Sequence, residues 1–242
     1  MKKRSLVKHI PSAALLVLSA AIFTSAQDLP KNKQNARPEP PVAAATVAEK
    51  QIEPVKYSYE FSQPRFYIRH IILEHDASGH GTVTFERLNE DTPVVEPIQL
   101  SPAALGRITS DWKALQFLDS DTNYQASQQF PHLGTMRLGM EQGGRKRVAE
   151  FNWTHNNNAE ALITEYRRAA DQAIFVFDIS IARENQPLNA PKLMEVLESM
   201  LKRGGLSDPH QLVPLLQDLS TDEHVPLIAR NHALRLLKQI QK

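Results

Sequence analysis

The stretch RFYIRHIILEHDASGHGTVTFERL, residues 65–88, decides the fold. Its first arm, Arg65 to His75, is dense in aromatic and β-branched side chains and reads as a strand. A glycine-containing turn, Asp76 to Gly81, leads into Thr82 to Leu88, where Val83 and Phe85 alternate with polar neighbours. Two such arms around a short turn predict a β-hairpin with one buried face. Val94 to Leu100 is expected to add a third strand, and Pro93 and Pro97 place it at an edge, because proline cannot donate to a ladder.

Working outward, Ser101-Pro102 opens a helix: serine caps and proline suits the first helical position. Leu105, Ile108, Trp112 and Leu115 recur at helical spacing and face the sheet. Leu133 to Met140 and Arg147 to Trp153 predict a second hairpin across Gly143-Gly144. Asn157 to Ala182 predicts a longer helix with Ala159, Leu162, Ile163, Tyr166, Ala170, Ala173, Ile174, Phe177 and Ile181 on one stripe. Beyond residue 188 the character changes. Leu193, Leu197, Met200 and Leu201 mark a helix ended by Gly204-Gly205, Asp208-Pro209 starts another, and Val225 to Ile240 carries a third.

The expected class is α+β: a small antiparallel sheet of two hairpins packed with two helices, then a C-terminal subdomain of two to three helices. The expected boundaries are a leader over 1–26, a Pro/Ala-rich linker over 27–56, the α+β domain over 57–188 and the helical subdomain over 189–242.

The leader reading rests on Lys2, Lys3, Arg4 and Lys8 before an uncharged, mostly apolar run from Ile10 to Ala26 that closes on small residues. This is the pattern of a bacterial secretory signal, with an uncleaved anchor as the rival; either exports the globular part to the periplasm or beyond. A membrane is a partner only in the uncleaved case. The linker has five prolines and no aromatic residue, a composition that cannot bury enough apolar surface to offset ordering.

Composition excludes several functions. With 28 Lys and Arg against 27 Asp and Glu, no broad cationic field exists, so no nucleic-acid partner is expected. Cleaving the leader removes four positive charges from a formal +1 and leaves −3. The absence of cysteine removes disulfides, thiol nucleophiles and thiolate metal sites. No nucleophile elbow, phosphate loop, dinucleotide fingerprint or zincin helix occurs, so no catalytic residue and no cofactor is assigned.

The densest set of ligating side chains is His75, Asp76 and His80, candidates for a transition metal at the first turn. His70 cannot join them, because an odd separation from His75 puts the two rings on opposite faces of a strand. Asp119 to Asn123 begins like a calcium loop but has Tyr124 where glycine is needed and Phe130 where the bidentate acid belongs. Arg145, Lys146 and Arg147 form a cationic hairpin tip, and Asn152-Trp153-Thr154 matches a glycosylation sequon. Arg183, Arg230 and Asn231 read mainly as helix caps or layer links, and alternatively as the lining of a groove between the two subdomains. Trp112 and Trp153 are the ligand-platform candidates, Trp153 reading rather as core.

The run from about Arg65 to Ile181 distantly resembles a family of exported bacterial α+β domains of uncharacterised function. The shared features are an opening hairpin, a helix ending in Phe117, Leu118 and Tyr124, a second hairpin and a closing helix. Members often carry cysteines in the first strand, and this chain has none; the resemblance implies no activity. LLQDLSTDEHVPLIARNHALRLL, residues 215–237, is similar to one divergent HEAT-type repeat, with Pro226 where that family commonly has arginine. A lone repeat cannot build a solenoid, so it reads as an appendage packed on the α+β part or on a partner. These features favour a non-enzymatic envelope module that binds another envelope protein. A metal-assisted periplasmic hydrolase and a small-ligand or glycan binder are the alternatives.

Overall fold

The computed structural model describes residues 53–242; the leader and nearly all of the expected linker lie outside them. Among the described residues six strands form a single antiparallel sheet: β1 (Val55–Ser62), β2 (Ile68–Asp76), β3 (His80–Arg87), β4 (Val94–Gln99), β5 (Thr135–Gln142) and β6 (Arg145–Phe151). Their spatial order is β4-β3-β2-β1-β5-β6, with every neighbouring pair antiparallel. The α+β class is therefore as the sequence implies, and β4, carrying Pro97, is an edge.

One strand escaped the sequence reading. Val55 and Lys56, placed in the linker, open β1, which sits at the centre and fuses the two expected hairpins into one sheet. VKYSYEFS alternates strictly: Val55, Tyr57, Tyr59 and Phe61 are buried, while Lys56, Ser58, Glu60 and Ser62 face the other side. Tyr59 lies opposite Leu73 of β2 and Leu138 of β5, all three at or below 1% exposure. Half of the strand is polar, and Pro54 precedes it, so local composition masks it.

Helices α1 (Pro102–Leu115) and α2 (Asn157–Asn185) cover the apolar face. Ser101 Oγ accepts from the Ala104 amide and Asn156 Oδ1 from the Ala159 amide, each satisfying a first-turn donor. The opposite face is solvated, with Glu60, His70, Glu86, Arg137 and Glu150 in cross-strand pairs.

The 29-residue α2 is longer than one sheet needs, and it serves two cores. Residues Ala159 to Ile174 belong to the sheet core, whereas Phe175 and Ile179 pack into a second core with α3 (Ala190–Lys202), α4 (Val213–Thr221) and α5 (Leu227–Ile240). The expected single stripe holds through Phe177, which packs on the sheet core and meets Phe85 edge to face, and is corrected at Ile181. Ile181 is 40% exposed, in an open hollow beside Pro97 and Ile98 of β4, while Phe175 and Ile179 turn to α3. The C-terminal part contains three α-helices among the described residues, the upper end of the expectation. Gly204, at φ +65°, takes the left-handed conformation that ends α3, and the Gly205 amide returns to the Met200 carbonyl at 2.8 Å. The α3–α4 connection is strapped to the rest by Arg107 donating to the Ser207 carbonyl at 2.7 Å and Gln211 donating to the Gln99 carbonyl at 2.9 Å.

Candidate functional site: an aromatic cleft beside α2

The residues singled out in the sequence are largely committed to the fold. His75 is 2% exposed and points into the sheet core. Its Nδ1 lies 2.7 Å from the Asp76 carbonyl oxygen, which can only accept, so Nδ1 carries the proton. Trp112 Nε1 donates to the Tyr166 hydroxyl oxygen at 2.8 Å, and that hydroxyl donates in turn to His75 Nε2 at 2.8 Å. Burial holds the His75 pKa below its ordinary value, which keeps the ring neutral as this chain of donors requires. Asp76 instead closes the turn: its Oδ1 accepts from the Ser78 amide at 2.8 Å, the Ser78 hydroxyl at 2.6 Å and the His80 amide at 3.1 Å. His80 Nδ1 is bonded to the same hydroxyl. The three candidate ligands therefore do not converge, and among the described residues no three His, Asp or Glu side chains stand as a metal ion would need.

The calcium-like loop and the cationic tip answer each other. Arg145 pairs with Asp119 at 2.5 Å, and Arg147 lies over the Phe117 ring at 4.6 Å while donating to the carbonyls of Phe117 and Thr122. The sequon residue Asn152 is also structural, its Oδ1 accepting from the Phe130 amide at 3.2 Å. Arg183 and Asn231 line separate hollows. Arg183 pairs with Asp222, tying α2 to the α4–α5 connection and holding the Asp222 carboxyl down at about 2. Asn231 lines a separate hollow with Glu195, Glu198 and Arg235, between α3 and α5. Arg230 Nε is buried without a hydrogen-bond partner among the described residues.

What the sequence did not show is a cleft of about 490 Å³ where the sheet, α2 and the end of α3 meet. Its floor is Tyr59 and Phe61 of β1 with Met136 of β5, which stands opposite Phe61 in register. Trp153 and Leu133 wall one side and Ile163 of α2 the other. Trp153 is 37% exposed and meets Phe130 edge to face at 5.3 Å, whereas Trp112 is the buried tryptophan, at 3%. The expectation that Trp153 is core is corrected accordingly: it stands two residues past Phe151, the last of β6, and lines the cleft.

The polar groups of the cleft are ordered. Arg167 holds Asp171 at 3.1 Å and lies 4.6 Å from the centre of the Phe61 ring. Burial raises the Asp171 carboxyl, opposed by Arg167 and by Arg203 at the end of α3. Burial also pushes the Tyr59 phenol up to about 12, so it stays protonated beneath Arg167. Arg168 is held by Glu165 at 2.7 Å, an acid that also receives Arg107 at 2.9 Å.

A slightly larger hollow of about 580 Å³ lies nearby, lined by Arg107, Asp111, Glu165 and Arg168. Glu160 lines it too, so three acids face two arginines, and it offers no aromatic surface. An apolar cleft with a few fixed polar groups is the better ligand site. No protein-family model matches the chain, and no curated protein matches it.

Proposed function

We propose that this chain is an exported, non-enzymatic binding module of the cell envelope whose working site is the cleft beside α2. The observation that carries the reading is an apolar, aromatic-walled cavity of about 490 Å³ left open where two cores meet. An apolar cavity of this size in a folded chain is characteristic of ligand sites. Reading it as a binder rather than a catalyst rests on how the titratable groups are used: His75 keeps the core in register, Asp76 closes a turn, and Glu165 and Asp171 each hold an arginine. Export is inferred from the basic and then apolar N-terminus.

The test is titration with N-phenyl-1-naphthylamine, an uncharged probe that brightens in apolar surroundings. Saturable binding at one site is expected, lost when Met136→Trp fills the floor and weakened by Trp153→Ala. Binding that survives Met136→Trp places the probe elsewhere and refutes the assignment.

A second reading has its own support. Leu227 and Ile228 at the start of α5 are 61% and 68% exposed, as a face that docks on another envelope protein would be. Cross-linking in the native host, followed by loss of a stoichiometric partner in the Leu227→Ser, Ile228→Ser double variant, would support it; an unchanged partner would exclude that face.

A further inference from the structure

We infer that the cleft accepts a monoanionic amphiphile, its anionic group at Arg203 and its apolar body running along Phe61, Tyr59 and Ile163 toward Trp153. The inference rests on the cleft being the binding site and adds the chemical class of its occupant.

The charges around the cavity decide the class. Three arginines line it. Arg167 is held by Asp171 and by the face of Phe61, and Arg168 is held by Glu165. Arg203 differs from both. It caps the end of α3, is exposed, and has no side-chain hydrogen bond or ion pair within 4 Å among the described residues. It lines the cleft with Asp171, Gly204 and Gly205, and its charge opposes the burial that raises Asp171, so the guanidinium stands at the Asp171 end. Two glycines set this posture. Gly204 at φ +65° turns the chain sharply after Arg203, and a Cβ on Gly205 would come within 3.0 Å of Arg203 Nε. An unpaired guanidinium beside an apolar cavity is a donor fork suited to a carboxylate or a phosphate ester.

The other unpaired charge on the lining is Glu160, and its location matters. It stands in the first turn of α2, eleven residues before Asp171, which at about 1.5 Å per residue is about 16 Å away along the helix axis. The anion site is therefore at the end remote from Glu160, and the apolar residues lie between the two. An anionic head with a single chain fits this polarity; a cationic head would have to sit at the opposite end, at Glu160. The wall of Trp153, Met136 and Phe61 contributes area without directional demands, so the tail is read by length rather than by shape.

The experiment displaces N-phenyl-1-naphthylamine from the processed full chain, using four submicellar probes at neutral pH: decanoate, octanoate, decan-1-ol and decyltrimethylammonium. Decanoate is expected to displace at a concentration at least about tenfold lower than decan-1-ol or decyltrimethylammonium, as one charge-assisted pair warrants. Octanoate, two methylenes shorter, is expected to need about fifteenfold more than decanoate. Arg203→Gln should erase the preference for decanoate over decan-1-ol without changing decan-1-ol itself, and Arg203→Lys should keep most of it. Arg203 is exposed, so neither variant threatens folding. Equal displacement by all heads, a preference for the cationic head, or a preference for decanoate that persists in Arg203→Gln overturns the anionic class while leaving the cleft reading intact. Failure of the uncharged probe to bind at all overturns both.

Discussion

The two cores that share α2 are built from different materials. Around the sheet, nine of the 22 buried core residues are aromatic: Tyr57, Tyr59, Phe61, Phe85, Trp112, Phe117, Tyr124, Phe151 and Tyr166. Among α3, α4 and α5 the buried set is Leu, Met, Ala, Ile and Val, with Phe175 of α2 the one aromatic ring among the described residues. The difference has consequences. Aromatic rings are rigid plates with edges and polar handles; they stack at set angles and fix a network such as Trp112, Tyr166 and His75. They also leave gaps where plates end, and the cleft opens at that limit. Aliphatic chains fill space in all directions, and the helical core lends only the tip of α3 to the site.

The sharpest way to break this comparison is to cut volume from the helical core. Leu216→Ala, at a position with no exposure, should cost about 2–5 kcal/mol in urea-induced unfolding, whereas Leu216→Met at nearly constant volume should cost less than about 1.5 kcal/mol. Next comes the aromatic core, where one oxygen matters more than volume. Tyr166→Phe keeps the ring but strands the Trp112 N–H and His75 Nε2, and should cost about 2 kcal/mol by the same measurement. A cost near zero would show that the network is not a fixed part of that core.

The two histidines of β2 give a smaller, signed test of the sheet's two faces. Burial lowers His75 from its ordinary 6.5, with the rings of Tyr57 and Tyr166 and the carbonyl of Asp76 facing it. Its contribution is complete above pH 6.5 and is lost as pH falls from there toward the folded value. His70, on the solvated face, is raised: its own burial opposes this, but Glu60 and Glu86 at 2.9 and 3.1 Å outweigh it. Those carboxylates are shared with Arg69 and Arg137. The His70 contribution is complete below 6.5 and is lost as pH rises through the raised folded value. Urea midpoints measured from pH 5 to 8 should therefore show wild-type and His70→Gln curves that converge at the alkaline end and separate toward acid. The opposite divergence would reverse the assignment.

Much of this architecture was legible locally. Ser101-Pro102, Gly143-Gly144, Gly204-Gly205 and Asp208-Pro209 mark their boundaries through backbone chemistry that acts within a few residues. Alternation also told His70 from His75. Strand β1 was hidden because its outward residues are Lys56, Ser58, Glu60 and Ser62, a pattern that a linker shares. The double duty of α2 was hidden because a stripe on a helix does not say which element each turn will meet. The cleft was hidden for the strongest reason: Tyr59, Met136, Trp153, Arg167 and Arg203 come from five separate stretches, and only the sheet order and the end of α3 bring them together. Trp153, flanked by Asn152 and Thr154 just after a strand, was its one local sign.

The most direct test of the cleft is quenching of tryptophan emission by 10-bromodecanoate, whose bromine at the chain end quenches only by close approach. Of the two tryptophans, Trp153 lines the cleft and Trp112 is buried in the sheet core. Saturable quenching of the exposed emission, absent in Trp153→Phe, is the predicted result. Quenching that never saturates, or that is unchanged in Trp153→Phe, would contradict the account.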